Sequence, residues 1–235
     1  MTTAGGSPTM LLASDNSTPW GYFGNNSDQV LGYFWEHLWL SVLPVVLGLI
    51  IAMPIGYLAR RVKWTYTPLV TVSGLLYTIP SIALFVLAPQ ILGTKILSPV
   101  NVVIPLTLYT VALMVRVIAD GLAAVPEHVL QSASAMGYNR FERLLKVELP
   151  IAVPVISAGL RVAVVGNVGM VAVAITIGVQ QLGTLFITGF QKQAFGQGPI
   201  VLGIILSVVL ALFLDSLLVL GTKVLTPWRK AVSAT

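Results

Sequence analysis

The sequence predicts an all-α, polytopic membrane protein with about five transmembrane helices and a cytoplasmic helix-turn-helix loop. Its 235 residues are 56% hydrophobic and only 9% charged, whereas soluble domains carry roughly 25% charged residues. A soluble protein of this composition would expose large apolar patches, which soluble monomers rarely do. The few charges also lie mainly between long uncharged stretches, which is the pattern of membrane spans.

Five stretches are long and apolar enough to cross a bilayer as helices, which rise about 1.5 Å per residue. The second stretch contains Pro80, so a kink is expected within Tyr77–Ser81. The predicted spans lie within a membrane domain of residues 34–225 and cover residues 38–59, 69–92, 99–117, 150–178 and 199–220. A polar extracytoplasmic tail, residues 1–33, precedes this domain, and a cytoplasmic tail, residues 226–235, follows it.

The positions of the basic residues predict the orientation of these spans. Most of the 13 Lys and Arg residues fall in three clusters, at Arg60–Lys63, Arg140–Lys146 and Lys223–Lys230. Positive charge collects on the cytoplasmic side of membrane proteins. Five spans therefore place the amino terminus outside the cell and the carboxyl terminus in the cytoplasm.

Composition also argues against several kinds of chemistry. The chain has no cysteine, and His37 and His128 are not flanked by metal-ligand spacings, so no metal site is predicted. The net charge of +5 is scattered rather than gathered into a basic stripe, so nucleic acid is not an expected partner. No set of nucleophile, base and orienting group is apparent, and no catalytic residue is predicted.

The polar loop at residues 120–149 is predicted to form two short helices. Gly137 is suited to a left-handed turn between them, and Asn139 with Glu142 matches a capping box for the second helix. An apolar face is predicted on each helix, from Val129, Leu130, Ala133 and Met136 on the first and from Phe141, Leu144 and Leu145 on the second.

Two interpretations of this loop are open. Amphipathic loops that rest on lipid headgroups are common, and their polar faces are rich in Lys and Arg. The first helix instead presents uncharged Gln131, Ser132 and Ser134. A protein partner is therefore favoured over a lipid surface.

The loop resembles the cytoplasmic loop of bacterial ATP-binding-cassette importer permeases. That signature is Glu-Ala-Ala, three residues, Gly, and about nine residues to an apolar residue and Leu-Pro. This chain has Gln and Ser at the first two positions and matches the others. The residues assigned to ATPase coupling are Glu127, Gln131, Ser132, Ala133, Gly137, Arg140, Glu142, Leu149 and Pro150.

The resemblance extends from about Arg60 to Thr222 and is nearest to the glycine betaine, carnitine, choline and proline permeases. It is carried by the stretches YTIPSIALF at Tyr77–Phe85, VRVIADGLAAVPEH at Val115–His128, KVELPIAVPVISAGLR at Lys146–Arg161 and IGVQQLG at Ile177–Gly183.

The resemblance implies a permease subunit in a prokaryotic plasma or inner membrane. Its implied partners are two cytosolic ATPases, a second permease that is either identical or a paralogue, an extracytoplasmic binding protein and the lipid bilayer. The chain has no GxxxxGK[ST] phosphate loop, so ATP and magnesium are expected on the ATPase partner and no cofactor on this chain.

Two groups of residues within the spans are candidates for special roles. Arg161 and Asp215 are ionisable residues in spans four and five, and charges there must face protein or water. An ion pair between them is expected, with a substrate or gating role as the alternative. Aromatic rings bind quaternary ammonium groups over their faces, so Tyr77 and Tyr109, together with Asn167, are candidates for lining the solute pathway.

The main alternative function is an ion-gradient-driven secondary transporter of small solutes. Such proteins usually contain inverted repeats and intramembrane acidic coupling sites. The sequence shows no repeat, and Asp215 is its one candidate for such a site. A membrane-embedded enzyme is a weaker alternative, because no catalytic constellation lies in or beside the spans.

Overall fold

A computed structural model describes residues 16–191 and 197–228, and all regular elements in this part of the chain are helical. The predicted all-α fold class is therefore confirmed. The described part also contains a π-helical turn, Leu144–Glu148, and a 3₁₀ turn, Ala174–Ile177. The α-helices are α1 (Pro19–Asn25), α2 (Ser27–Arg61), α3 (Lys63–Thr78), α4 (Ser81–Leu92), α5 (Val100–Ala123), α6 (Glu127–Ala135), α7 (Arg140–Arg143), α8 (Leu149–Val173), α9 (Thr184–Gln191) and α10 (Gly198–Leu225).

Helices α2 and α5 pack closely and run in the same direction. A methyl group added at Gly48 would lie 2.5 Å from Cβ of Thr110, and one at Gly56 would lie 2.8 Å from Cβ of Ile118. Small residues allow helices to approach closely in a membrane, where there is no hydrophobic force between them. Because α2 and α5 run toward the same end of the bundle, the chain that connects them must return to the opposite end before α5 begins.

That return is made by α3 and α4, which meet at an angle of 97°. Ile79 has extended backbone angles, φ −69° and ψ 129°, and Pro80 has no N–H to continue the helix. The predicted kink is thus a full break between two helices. Tyr66 of α3 contacts Asp120 near the end of α5, whereas Phe85 of α4 packs beside Val102 near its start. The bent pair therefore lies along α5 from near its end to near its start.

Helix α8 runs opposite to α5, and α10 runs opposite to α8. Gly159 of α8 faces Val117 of α5, whereas the earlier residue Val155 of α8 lies nearest the later residue Gly121 of α5, so these two helices are antiparallel. Four helices in the described ranges are long and apolar enough to cross a membrane, and the bent pair makes up to five. We call the end where α2, α5 and α10 begin the upper end, and the end where α6 lies the lower end.

The amino-terminal part differs from the predicted polar tail and first span. Residues 1–15 lie outside the described part, but α1 and the first two turns of α2 are helical from Pro19 onward. The reason is an apolar cluster that the sequence pattern did not reveal. It consists of Tyr22, Val30 and Tyr33 packed against Leu182, Leu185 and Leu202.

The remaining boundaries also differ from the predicted ones. Helix α3 begins at Lys63, before the predicted start of the second span at residue 69, and α5 continues to Ala123, into the predicted loop. Helix α10 extends to Leu225, beyond the predicted end at residue 220. Each extension adds polar or charged turns outside the apolar stretch, which hydrophobicity alone does not register. Residues 229–235 of the predicted carboxyl-terminal tail lie outside the described part.

The loop predicted at residues 120–149, which we call the lower-end loop, contains one separate helix rather than two. Helix α6 stands alone, but α7 continues through the π-helical turn into α8, and Arg140–Ile177 form one stretch of 38 residues. Pro150 lies within this stretch, at the second residue of α8 and just after the π-helical turn. We call Arg140–Ile177 the α7–α8 rod.

Candidate coupling loop and solute pathway

The turn between α6 and the rod has the predicted local structure. Gly137 has φ +87°, the left-handed conformation that favours glycine. The side chain of Asn139 accepts hydrogen bonds from the backbone N–H groups of Phe141 and Glu142, at 3.0 and 2.9 Å. The carboxylate of Glu142 accepts one from the N–H of Asn139 at 3.0 Å, which completes the predicted capping box.

The electrostatics of this cap follow from its hydrogen bonds. The backbone N–H of Asn139 lowers the pKa of the Glu142 carboxyl, and the charge of Lys146 lowers it further. Glu142 is therefore ionised whenever the loop operates near neutral pH. An ionised carboxylate in the first turn of a helix also interacts favourably with the helix dipole.

The lower end presents exposed apolar side chains. Met136 is 70% exposed, Phe141 67% and Leu145 47%. Of the apolar face predicted for the first helix, Leu130 and Ala133 are buried, but Met136 points away from the bundle. Met136, Phe141 and Leu145 of the predicted apolar faces are thus uncovered in the single chain. The result is an apolar surface.

The residues assigned to coupling surround this surface. Leu149 and Pro150 are half-buried at the start of α8, and Glu142 is half-buried in the cap. Ala133 is buried on the inner face of α6. The other five are exposed at the lower end, namely Glu127, Gln131, Ser132, Gly137 and Arg140.

Arg143 is a lower-end residue that the sequence did not single out. Its Nε donates to Oε1 of Glu148 at 2.9 Å, and its Nη1 donates to Oγ of Ser134 at 3.0 Å. Glu148 is only 7% exposed, so its charge needs this partner. An Arg and a Glu five positions apart in an otherwise polar loop give no distinctive sequence signal.

The structure brings Arg161 and Asp215 together. Nε of Arg161 lies 2.6 Å from Oδ1 of Asp215, and Nη2 lies 2.7 Å from Oδ2. The two side chains remain 43% and 25% exposed, so the pair lies at the surface of the single chain. This surface continues along α8 through Ala158, Val162 and Gly166.

The three candidate pathway residues also meet. Tyr77 of α3 and Tyr109 of α5 are in edge-to-face contact, with ring centroids 5.6 Å apart at 87°. Asn167 of α8 lies beside them in the same small cleft and donates to Oγ1 of Thr110 at 3.4 Å. Gly166 lines both this cleft and the surface beside Arg161, so the two groups of candidates lie along one side of α8.

A buried polar network at the upper end was missed by sequence reasoning. His37 is fully buried, and its Nδ1 lies 3.0 Å from Oε1 of Gln181 while its Nε2 lies 3.0 Å from the carbonyl oxygen of Val168. Gln181 also accepts from the N–H of Gly183 at 2.5 Å and donates to the carbonyl of Ala172 at 3.2 Å. The network joins α2, α8 and the segment before α9.

Within the described ranges, no group of three or more His, Cys, Asp or Glu side chains is arranged to hold a metal ion.

Solved structures of transporters share this helical arrangement. An inward-facing structure of the MetNI methionine ABC transporter aligns with a TM-score of 0.67 and 23% identity, covering 85% of this chain and 95% of that one. A crystal structure of an amino acid ABC transporter with histidines aligns with a TM-score of 0.69 and 18% identity, covering 86% and 96%. At these identities the likeness establishes the fold, which is that of an ABC transporter membrane subunit.

The sequence places the chain within a family. It belongs to the binding-protein-dependent transport system inner membrane components, whose family model matches residues 44–221. It is therefore a multi-pass transport permease of the inner membrane, and membership implies an ATPase and a substrate-binding protein as partners.

Curated relatives align over nearly their whole length. The osmoprotectant import permease protein OsmW of Salmonella typhimurium is 36% identical over 211 residues, covering 88% of this chain and 96% of that protein. The glycine betaine/carnitine/choline transport system permease protein OpuCD of Bacillus subtilis is 30% identical over 209 residues, covering 89% and 90%.

Proposed function

We propose that this permease carries a compatible solute of the glycine betaine, choline, carnitine or proline type into the cell, driven by ATP hydrolysis on a separate cytosolic subunit. The observation that carries the proposal is the lower-end loop. It pairs a capped turn at Gly137 with an exposed apolar surface, and it continues without a break into a membrane-spanning helix. Such a surface is suited to a protein partner whose movement must reach the membrane.

The solute class is supported by the names of the relatives. OsmW is named for osmoprotectant import, and the Bacillus OpuCD protein for glycine betaine, carnitine and choline. These solutes include quaternary ammonium compounds, which bind weakly to water-exposed anions but well to aromatic faces. The Tyr77 ring, which is 46% exposed beside the buried Tyr109 and Asn167, offers such a face in this chain.

The pathway lies, in this proposal, along the side of α8 that carries Gly166. A charged pair that faced lipid would be costly, yet Arg161 and Asp215 are partly exposed on the single chain. This side therefore faces water or a second permease, either an identical copy or a paralogue. The single chain leaves only a small cleft at Tyr109, so the conduit is completed between two subunits.

The partners follow from the same reasoning. Two cytosolic ATPases, which bind ATP and magnesium, contact the lower-end loops. An extracytoplasmic protein delivers the solute to the upper end. The orientation places the amino terminus outside and the carboxyl terminus in the cytoplasm, because Arg60, Arg140, Arg143 and Lys223 all lie toward the lower end. An ion-gradient-driven transporter is not favoured, since the relatives are components of ATP-driven importers.

The test is uptake by the complete complex in proteoliposomes. The permease, its ATPase and its binding protein are reconstituted, and uptake of radiolabelled glycine betaine, choline, carnitine and proline is measured with and without ATP. At least one of these solutes is expected to accumulate only with ATP, and uptake should persist after an ionophore has removed all ion gradients.

Two controls separate the alternatives. A hydrolysis-deficient ATPase variant should abolish uptake while the complex stays assembled. Uptake that continues without the ATPase and collapses with the ionophore would establish a secondary transporter instead. ATP-dependent uptake of none of the four solutes would overturn the proposed solute class.

A further inference from the structure

Arg143 links the two parts of the lower-end loop. Helix α6 and the α7–α8 rod are consecutive in the chain and are joined by the short turn around Gly137. In residues 16–191 and 197–228, the bond from Arg143 Nη1 to Ser134 Oγ is the one side-chain hydrogen bond between α6 and the rod. The other serine bonds of α6 stay within the helix, from Ser132 to the carbonyl of His128 and from Ser134 to that of Leu130.

Arg143 is held in place by a second residue of the rod, Glu148. Its Nε bonds Glu148 at 2.9 Å, and Glu148 is 7% exposed. Removing the cationic partner of a carboxylate buried to this degree is strongly destabilising. The Arg143 guanidinium is planar and offers donors in a fixed fork, so one nitrogen is anchored to Glu148 while another reaches Ser134.

The bridge joins the part that meets a partner to the part that crosses the membrane. Ser134 lies in the last turn of α6, where a positive charge also interacts favourably with the helix dipole. Glu148 lies at the junction between the π-helical turn and α8. π-Helical turns are local distortions that often occur at functional sites. Leu130 and Ala133 hold α6 by burial, and the bridge adds the directional contact between α6 and the rod.

We propose that Arg143 is a positioning residue for energy coupling. By bridging Ser134 and Glu148 it makes α6 and the α7–α8 rod move as one body, so that displacement of α6 by an ATPase is transmitted to α8. This inference rests on the proposed function for the identity of the driving partner. The rigid link itself is a property of the permease.

The first experiment measures the link without transport. The chain has no cysteine, so single cysteines at Gln131 of α6 and Val155 of α8 allow two spin labels on the full chain in nanodiscs. Pulsed electron paramagnetic resonance should give a narrow distance distribution. The R143Q and S134A variants should both broaden it, because each removes the hydrogen bond between α6 and the rod.

A matched control comes from a second arginine at the lower end. Arg116 forms an exposed pair with Asp120 of the same helix, at 3.6 Å, and within the described ranges it makes no hydrogen bond to α6 or to the rod. R116Q should leave the distribution unchanged. A distribution in R143Q as narrow as that of the unaltered permease would overturn the rigid link.

The second experiment measures the solute transported per ATP hydrolysed by purified, assembled complexes. R143Q and E148Q are each expected to lower this ratio roughly ten-fold, the effect of about one charge-assisted hydrogen bond on a coupling equilibrium. R143K retains the charge but not the fork, so it should restore the ratio only in part. The exchanged pair R143E with E148R should recover more than either single change.

The outcomes are distinct. If uptake and hydrolysis fall in proportion, so that the ratio is unchanged, Arg143 has only a structural role and the proposal is overturned. If R143Q does not assemble, the S134A complex decides, because S134A leaves the buried Glu148 paired; an unaltered ratio there also overturns the proposal. Failure of the proposed function would appear earlier, as absence of ATP-dependent uptake by the unaltered complex.

Discussion

Arg161 of α8 and Asp215 of α10 form a two-pronged ion pair, with Nε to Oδ1 at 2.6 Å and Nη2 to Oδ2 at 2.7 Å. The pair joins helices that are 54 residues apart in sequence, and it is partly exposed on the side of α8 that also reaches the tyrosine cleft. Parallel bonds of this kind add geometric specificity to the attraction. The pair is therefore expected both to hold the two helices in register and to shape the surface of the pathway.

Charge reversal tests this pair. R161D and D215R each place two like charges side by side, so each should lower the melting temperature of the purified permease and remove most of the uptake. The combined exchange of both residues should recover much of the stability. An exchanged pair no more stable than the single variants would contradict the pairing. R116D, at an exposed helical pair, should change stability little.

Gly137 should be sensitive to substitution because of its backbone rather than its surroundings. A Cβ at this position would meet nothing within 4 Å, but φ is +87°. A β-branched side chain in this region costs about 1 to 2 kcal/mol. G137V should therefore distort the turn and lower the solute transported per ATP.

The matched control for this prediction is Gly93. It also has positive φ, +65°, with no atom within 4 Å of a built Cβ, but it ends α4 at the opposite side of the bundle. G93V should carry a similar local strain without uncoupling ATP hydrolysis from uptake. Equal uncoupling by both substitutions would show that the lower-end turn has no special role in coupling.

Gln181 should be essential for stability, whereas its neighbour Gln180 should not. Q181L would leave buried polar atoms of His37 and Gly183 without their partner, a loss of about 1 to 3 kcal/mol for each orphaned group. Gln180 is exposed, so Q180L should alter the melting temperature in nanodiscs little. Similar melting temperatures for the two variants would contradict the network.

Gly48 should be among the least tolerant positions of α2. A Cβ there would lie 2.5 Å from Cβ of Thr110, and the backbone carbonyl of Thr107 would lie 3.2 Å away. Overpacking of this kind costs about 1 to 3 kcal/mol. G48A should lower the melting temperature, while G32A in the same helix, where nothing lies within 4 Å, should not. Equal melting temperatures would show that α2 and α5 pack less closely.

Several features could be predicted because they depend on neighbours in the chain. The membrane location follows from composition, the break near Pro80 from the missing N–H, and the capping box of Asn139 and Glu142 from a spacing of three residues. The left-handed turn at Gly137 belongs to the same group. All of these depend on local backbone chemistry, which residue identity and spacing encode directly.

Other features could not, because they join residues distant in the sequence. His37 and Gln181 are 144 residues apart, and neither is marked by a motif. The first span was predicted for residues 38–59, whereas the helix that contains it starts at Ser27, where Val30 and Tyr33 pack in one cluster with Leu182 and Leu202. Hydropathy detects the apolar part of a span and not the polar turns that tertiary packing adds to it.

The sequence by itself determined that this chain lies in a bilayer, that it crosses about five times and that its lower-end loop is built around a left-handed glycine. The tertiary structure decided which residues meet. It brought Tyr77, Tyr109 and Asn167 to one cleft, fused the second loop helix into the α7–α8 rod and set Arg143 between Ser134 and Glu148. The physical reason is that local patterns specify backbone conformation, whereas contacts between helices depend on complementary shapes and charges across the whole bundle.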